Sequence, residues 1–276
     1  MEKIAEILKL EEKADYIRKN LVHVSIKNNA GHIAPSLSCV DILTMLYYNI
    51  LNLNDDPEWE DRDRLIFSKA HGAYGLYSIL ADIGYLREED WNDFYRGSFL
   101  KGCIERSPQH GIEAGCGSLG HGLPMAVGIA FGAKLRKQRY KSYCIAGDGE
   151  MQEGSNWEAI QFAVKYKLNN LIVVVDCNGL QAMDFLDKVL SPMDSYKDLS
   201  GKFQAFGCKV MTCDGHNMTE LKSAFERATT DKRNQPIALL AKTVKGYGIL
   251  AMENIAKFHF RVPTKEELAM GVRYGK

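Results

Sequence analysis

Short apolar runs rich in β-branched residues alternate along the chain with longer segments whose apolar residues recur at helical spacing. This alternation is typical of a parallel β-sheet covered by helices on both faces, because buried parallel strands read as continuous apolar runs. The sequence therefore predicts an α/β fold. The predicted strands are RLIFS (64–68), SYCIAGD (142–148), NLIVVVD (170–176), CKVMTCD (208–214) and IALLAKT (237–243).

Between the second and third predicted strands, apolar residues recur at helical spacing and indicate the inner face of a helix. These residues are Trp157, Ile160, Val164 and Leu168. The result is a predicted βαβ unit. Further helices are predicted at 4–27, 38–49, 72–82, 119–137 and 218–229, the last with Asn217 as its N-cap. From Ile255 onward the pattern is lost, so we expect a lid or a partner-contacting tail there.

Composition narrows the class of protein. A length of 276 residues suits one large α/β domain, 1–276. The 35 Lys and Arg residues balance 35 Asp and Glu residues, which leaves no broad basic surface for nucleic acid or an anionic membrane. Seven cysteines without a C-x-x-C pair fit a reducing, cytoplasmic compartment. The charged N-terminal segment has the character of neither a signal peptide nor a membrane span, so we expect a soluble protein.

The stretch CIAGDGEMQEGSNWEAI places Asp148 between two glycines directly after a predicted strand. Asn178 follows the next strand, and the spacing of one βαβ crossover brings both side chains to the same edge of the sheet. Carboxylate and amide oxygens suit Mg²⁺ or Ca²⁺, and Mg²⁺ completes its coordination with water and ligand phosphates. Either residue alone would also fit a plain turn. Together they predict a metal site for a bound pyrophosphate.

This pair resembles the thiamine-diphosphate motif, GDG followed about thirty residues later by Asn, a separation typical of one βαβ unit. Five further blocks resemble those of the transketolase family, in the family's order: AGHIAPSLSCVDILTMLY, RDRLIFSKAHGAYGLY, GSLGHGLPMAVGIAFGAKL, DGHN and AKTVKGYG. The resemblance covers about Leu10 to Gly248. It implies the thiamine-diphosphate-binding fold, in particular its pyrophosphate domain, with thiamine diphosphate and Mg²⁺ as cofactors.

The resemblance also implies roles for the cofactor positions. The implied metal ligands are Asp148, Asn178 and the main-chain carbonyl of Leu180. Gly149 is implied as a backbone donor to the pyrophosphate, and Gly117 with Leu119 as the segment against the aminopyrimidine ring. Glu153 and Glu158 resemble acids at the dimer interface between two cofactor sites.

Three histidines match catalytic positions of the family: His32, His71 and His259. His71 is implied to contact the cofactor phosphate near the reacting carbon, and His32 to face the sugar substrate. His259 corresponds to a late active-site histidine, although its surroundings, KFHF, depart from the family pattern. Imidazole titrates near neutral pH, so these rings suit proton transfer from a sugar hydroxyl or donation to a developing oxyanion.

Other polar positions carry alternative interpretations. His23, His110 and His216 are read as surface or structural residues, and His121 stands where the family has Gln in GSLGQG. Cys103, in LKGCIE, stands where the family's PGHPE block has a histidine that contacts substrate hydroxyls. A shifted loop could instead bring His110 to that role. If the alignment holds, the weaker thiol predicts a preference for a modified or deoxygenated ketose.

In the transketolase family a second domain supplies the glutamate that protonates the aminopyrimidine, and the chain ends before such a domain. The resemblance therefore implies the N-terminal subunit of a split transketolase with a separate pyrimidine-binding partner subunit, expected as α₂β₂. The implied reaction is transfer of a two-carbon ketol unit from a ketose to an aldose. Two alternatives stay open: a subunit of another thiamine enzyme, such as a 2-oxo acid dehydrogenase α subunit, and a non-catalytic relative.

Overall fold

A computed structural model describes residues 2–190 and 196–273. Its centre is a five-stranded, fully parallel sheet in the order β1-β2-β3-β5-β4. The strands are β1 Arg64–Phe67, β2 Ser142–Gly147, β3 Leu171–Cys177, β4 Lys209–Asp214 and β5 Ile237–Lys242. All five predicted strands are confirmed, and their ends lie within one residue of the prediction.

Helices cover both faces of the sheet, as the apolar runs predict. Every residue of β2 and β3 is buried, which requires cover above and below because successive side chains point to opposite faces. Edge strand β4 instead alternates between buried and exposed positions toward its end. In residues 2–190 and 196–273, every helix is too short or too polar to span a bilayer.

The α-helices of the described residues are α1 Glu2–Lys27, α2 Ile33–Leu37, α3 Val40–Met45, α4 Ala73–Asp82, α5 Glu88–Asn92, α6 Gly122–Leu135, α7 Gly154–Lys165, α8 Leu186–Val189, α9 Lys197–Ala205, α10 Met218–Thr230 and α11 Lys265–Ala269. The predicted N-cap of α10 is confirmed: Oδ1 of Asn217 accepts from the amides of Thr219 and Glu220 at 3.0 and 3.1 Å.

Two predicted helices differ from the structure. The segment 38–49 is not one helix, because α3 ends at Met45 and a π-helical turn, Leu46–Ile50, follows it. The segment 119–137 becomes helical only at Gly122. Gly120 precedes α6 with a φ of +81°, a left-handed conformation that glycine adopts without strain and that breaks the helical pattern.

The predicted inner face of α7 agrees only in part with the structure. Ile160 is fully buried, but its buried companions are Asn156, Ala159 and Ala163, whereas Trp157 and Val164 are half-buried. Leu168 is buried beyond the end of the helix, because the chain turns at Lys167 with a φ of +51°. Trp157 instead packs against Phe203 and Phe206, with ring centroids 5.2 and 5.1 Å apart, so its ring faces α9 and the turn after it.

The segment after Ile255 folds back onto the chain. A 3₁₀ turn, Ala256–Phe260, precedes α11, and Thr264 with Glu267 forms a capping box at the start of that helix. The amide of Arg261 donates to the carbonyl of Gly31 at 3.1 Å, directly before His32. This packing brings the tail to the carboxyl edge of the sheet.

Candidate active site

Polar and charged residues gather where the parallel strands end. Lys69 and His71 follow β1, Asp148 follows β2, Asn178 follows β3 and Lys245 follows β5. A cleft of about 120 Å³ opens there, lined by Pro35, Lys69, His71, Leu119, Gly147, Gly149, Glu150, Asn178, Gln181, Ala182, Lys245 and His259. Carboxyl ends of strands are the usual ligand position in open parallel sheets.

A much larger concavity of about 1000 Å³ lies at the opposite edge, where β1 and β2 begin. Its lining mixes Asp61 and Asp63 with Lys141 and Lys222, and it contains none of the predicted site residues. The larger concavity is therefore not the one that holds the predicted site residues. We assign the site by chemistry, because an open groove of balanced charge offers no convergent set of functional groups.

A buried ion pair crosses the top of the sheet. The ammonium of Lys69 pairs with Asp176 and also donates to the Pro35 carbonyl and to Oγ of Ser38, both at 2.7 Å. Asp176 accepts further hydrogen bonds from Ser38 and Thr243. Burial opposes ionisation of Asp176, but the Lys69 charge and these donors hold the pKa of its carboxyl below the ordinary value.

The predicted metal ligands lie at the ends of two adjacent strands. Asp148 is buried, and its oxygens accept from the amides of Gly149 and Gly179 at 2.8 and 2.6 Å. Oδ1 of Asn178 accepts from the amide of Leu180 at 3.0 Å. Burial and then the charge of Asp176 raise the pKa of Asp148 to about 7. Among the described residues, the groups that donate hydrogen bonds to this carboxylate are neutral backbone amides.

These oxygens fit a divalent cation. A carboxylate or amide oxygen has two lone pairs, so each oxygen that accepts one backbone hydrogen bond keeps a lone pair for a metal. Hard oxygen donors are those that Mg²⁺ and Ca²⁺ prefer. Gly149 allows the loop after β3 to pack closely: an added Cβ there would lie 3.2 Å from Cβ of Gln181.

Three histidines from separate segments form one cluster. His32 and His71 stack with ring centroids 4.7 Å apart and an interplanar angle of 15°. Nε2 of His259 lies 3.1 Å from Nδ1 of His71, and Nζ of Lys245 lies 2.9 Å from Nδ1 of His259. The structure thus brings together the three histidines that the sequence singled out, including His259 despite its atypical surroundings.

Burial, and to a smaller extent neighbouring positive groups, lowers the pKa values of the three clustered histidines. The pKa of His32 falls to about 4 through burial and His71, and that of His259 falls to about 2 through burial and Lys245. Burial and Lys69 lower the pKa of His71. Burial and Lys69 also lower the pKa of Lys245, to about 8. At neutral pH the rings are therefore neutral while Lys245 is mainly charged.

Donor and acceptor rules then fix the tautomers. The Lys245 ammonium can only donate, so Nδ1 of His259 accepts a hydrogen bond from it. Nε2–H of His259 then donates to Nδ1 of His71, which leaves Nε2–H of His71 as a donor at the cleft. Ligand atoms of His71, His259 and His32 lie within 4.8 Å of one another, but Lys245 and Lys69 make this cluster an unfavourable position for a metal cation.

Glu150 joins two strand ends to the segment before α6, and the sequence analysis missed it. Its side chain is buried and accepts from Oγ of Ser68 and from the amides of Gly120 and Gly147, the latter two at 3.0 and 3.2 Å. Burial raises the pKa of Glu150, and these donors oppose that shift. Glu150 therefore ties the end of β1, the start of α6 and the end of β2 together.

Besides Glu150, the sequence analysis missed two lysines and one acidic residue: Lys69, Lys245 and Asp176. Each had a signal in the sequence, since Lys69 belongs to the SKAHG block, Asp176 ends the NLIVVVD strand and Lys245 belongs to AKTVKGYG. Asp176 gives the clearest of these signals, because it is a charged residue within an otherwise apolar strand and a buried charge needs a partner.

The positions predicted to contact the ring and the substrate lie nearby. Leu119 is half-buried and lines the cleft, whereas Gly117 is exposed and lies close to Cys103. Cys103 is half-buried, and the carbonyl of the preceding Gly102 favours the charged form of His32. The loop that carries Cys103 therefore lies beside the histidine cluster.

His110 takes a different place. Its Nδ1 lies 2.7 Å from Oγ of Ser107, and its ring stacks on Phe99 with centroids 4.8 Å apart. Among the described residues, 2–190 and 196–273, these contacts of His110 involve none of the three clustered histidines. The alternative in which His110 replaces the family histidine therefore receives no support from the geometry. Glu153 directly precedes α7 and Glu158 lies within it, and both are exposed; an interface role for them stays a prediction.

The sequence profile of a family described as "Transketolase, thiamine diphosphate binding domain" matches residues 10–273. The chain belongs to the transketolase family. It is 39% identical over 270 residues to one subunit of the apulose-4-phosphate transketolase of Actinobacillus succinogenes, covering 95% of this chain and 94% of that protein. It is 35% identical over 259 residues to a 6-deoxy-6-sulfo-D-fructose transketolase subunit of Clostridium sp., covering 93% of this chain and 92% of that protein.

Solved transketolases share the fold. The transketolase of Campylobacter jejuni superimposes with a TM-score of 0.84 and 31% identity, covering 94% of this chain and 41% of that chain. The chain thus spans about two fifths of the length of that solved transketolase, and it corresponds to the thiamine-diphosphate-binding part of the family. The predicted family and fold class are confirmed.

Proposed function

We propose that this chain is the pyrophosphate-binding subunit of a two-chain transketolase that uses thiamine diphosphate and Mg²⁺, with Ca²⁺ as a substitute metal. The reaction is transfer of a two-carbon ketol unit from a ketose to an aldose. One observation carries the proposal: a hard-oxygen pair, Asp148 and Asn178, lies at the same strand edge as a cluster of His71, His259 and Lys245.

The chain's own groups suit both ends of such a cofactor. Asp148, Asn178 and the Leu180 carbonyl would hold the metal, while Lys245 places positive charge beside the cleft that favours the pyrophosphate. Gly149 lines the cleft, and the absence of a side chain there lets a pyrophosphate approach its backbone closely. When bound, thiamine diphosphate supplies a carbon nucleophile and an electron sink for cleaving a bond next to a carbonyl.

The histidines supply proton chemistry. Ketose cleavage requires a proton to leave a hydroxyl, and a neutral imidazole within hydrogen-bond reach can accept it. His32 suits this role because its Nδ1 is buried without a hydrogen-bond partner in the described part of the chain. The Nε2–H of His71 suits donation to a developing oxyanion, and Lys245 with His259 orients that ring.

We propose a separate partner subunit for the pyrimidine half of the cofactor, in an α₂β₂ assembly. The relatives from Actinobacillus succinogenes and Phocaeicola vulgatus are each named as one subunit of an apulose-4-phosphate transketolase, which implies a further subunit in those enzymes. The exposed Glu153 and Glu158 mark the face expected at the dimer interface. Charge reversal at both positions should lower the mass of the reconstituted complex in light scattering, and an unchanged mass would remove them from the interface.

Activity of the isolated chain tests the subunit proposal. The purified chain with cofactor, Mg²⁺ and a ketose phosphate should show no sustained turnover, and addition of the partner chain should restore it. Sustained turnover by the chain alone would refute the split enzyme. Decarboxylation of a 2-oxo acid by the complex would favour the dehydrogenase-like alternative, and absence of cofactor binding would favour a non-catalytic relative.

A specialised ketose donor is a second, narrower proposal. Cys103 lies beside the histidine cluster where the family pattern has an imidazole, and a thiol hydrogen-bonds weakly. Two of the relatives are named for apulose 4-phosphate and 6-deoxy-6-sulfo-D-fructose, rather than for a general transketolase reaction. These observations support a modified or deoxygenated ketose as donor.

A further inference from the structure

The segment that follows β5 is anchored on both sides of Lys245. The amide of Val244 donates to Nε2 of His216 at 2.9 Å, and the amide of Gly246 donates to the carbonyl of Ala34 at 3.0 Å. Lys245 itself is 1% exposed, so the position of its backbone determines where its buried side chain can reach. The hydrogen bond of Val244 is the one anchor of the two that depends on a side chain.

His216 is held in turn by a buried network. Its Nδ1 lies 2.7 Å from Oδ2 of Asp41, which also pairs with the guanidinium of Arg18. The ring stacks on Tyr247 with centroids 3.6 Å apart and an interplanar angle of 11°. The network joins α1, α3, the loop after β4 and the segment after β5, and it lies outside the cofactor cleft.

The network fixes the tautomer of His216. Burial opposes ionisation of Asp41, but the charge of Arg18 and the bond from His216 hold its pKa below the ordinary value. A carboxylate only accepts, so Nδ1–H of His216 donates to Asp41 and Nε2 accepts from the Val244 amide. Nδ1 of His216 is therefore a donor and Nε2 an acceptor.

We infer that His216 is a positioning residue for Lys245: Nε2 fixes the Val244 amide and thereby aims the adjacent ammonium at His259 and the cleft. This inference rests on the proposed function only in taking the cleft as a pyrophosphate site. Without the Nε2 acceptor, the amide of Val244 would be left without that partner, and the segment would move to satisfy it.

Two near-isosteric substitutions separate the two nitrogens. In His216→Asn the side-chain NH₂ reaches the Nδ1 position and keeps the bond to Asp41, but no atom reaches the Nε2 position. In His216→Gln the side-chain carbonyl reaches the Nε2 position and accepts from Val244. Binding of inorganic pyrophosphate with Mg²⁺ to the full chain is measured by calorimetry, and exchange of the Val244 amide by mass spectrometry.

The asparagine variant should bind pyrophosphate about tenfold more weakly, the scale of losses caused by outer-shell partners. Its Val244 amide should exchange faster, and the glutamine variant should restore both values toward the parent. Equal behaviour of the two variants, or a parent-like asparagine variant, would overturn the inference. If the parent binds no pyrophosphate, the proposed function fails, while the exchange comparison still decides whether His216 fixes the segment.

Discussion

The ammonium of Lys69 reaches across β2 to pair with the carboxylate of Asp176, so that the ends of β1 and β3 are joined over the strand between them. Both side chains are almost entirely withdrawn from solvent. Such a pair offsets its desolvation only while both partners are present. The cleft is thus built on a polar network that tolerates the loss of both charges better than the loss of one.

Lys69→Met should therefore destabilise the chain by about 3–5 kcal/mol, because it leaves the buried Asp176 carboxylate uncompensated. Urea unfolding monitored by circular dichroism measures this free energy. The double variant Lys69→Met/Asp176→Asn should be more stable than the single one, since no charge is left unpaired. Equal loss in the two variants would show that packing, rather than the charge, determines the cost.

Asp148→Asn should weaken binding of thiamine diphosphate with Mg²⁺ by at least about tenfold, because it removes the anionic oxygen of the predicted ligand set. Calorimetry on the reconstituted complex gives the affinity. The matched control is Asp184→Asn, which removes a carboxylate that is half exposed on the loop after β3. If both variants bind as tightly as the parent, Asp148 is not a metal ligand.

The histidine cluster predicts how stability changes with pH. The folded pKa values of His32 and His259 lie near 4 and 2, below the ordinary 6.5, so between pH 6.5 and 4 the unfolded chain binds more protons. The free energy of unfolding contributed by these rings is therefore fully present above pH 6.5 and decreases as the pH falls.

His259→Gln should reduce this pH slope by up to one proton, or about 1.4 kcal/mol per pH unit. Urea denaturation at several pH values between 7 and 4.5 measures the slope. Groups whose pKa is shifted in the opposite direction, such as Asp148, are present in both the parent and the variant, so their contributions to the slope cancel in the comparison. His23→Gln, at an exposed position of α1, serves as the control. A slope unaltered in His259→Gln would contradict the neutral, buried imidazole.

The sequence predicts the sheet well because its central strands β2 and β3 are buried on both faces, and continuous apolar runs such as LIVVV are typical of such strands. It also predicts that Asp148 and Asn178 lie at the same edge of the sheet, because a βαβ unit fixes their separation. Lys69 and Glu150 were missed because their importance comes from partners far away in the chain, Asp176 and Gly120, which only the folded sheet brings together. Local spacing carries no information on such pairs.

Cys103 provides the sharpest test of substrate choice. The residue is half-buried beside Gly117, and the carbonyl of the neighbouring Gly102 acts on His32. An imidazole at this position could donate to a substrate hydroxyl, and one such bond to a polar or charged partner contributes about 1.5–3 kcal/mol, or roughly ten- to a hundred-fold in kcat/KM.

In the reconstituted complex we therefore expect poor turnover of xylulose 5-phosphate by the parent and a gain of roughly ten- to a hundred-fold in Cys103→His. Cys103→Ser is the matched control, since a hydroxyl of nearly the same size as the thiol cannot reach as far as an imidazole and should give no comparable gain. Parent turnover at the rate of a general transketolase, or equal gains in the two variants, would exclude Cys103 as a specificity determinant. The usual pentulose phosphate would then be the better assignment for the donor.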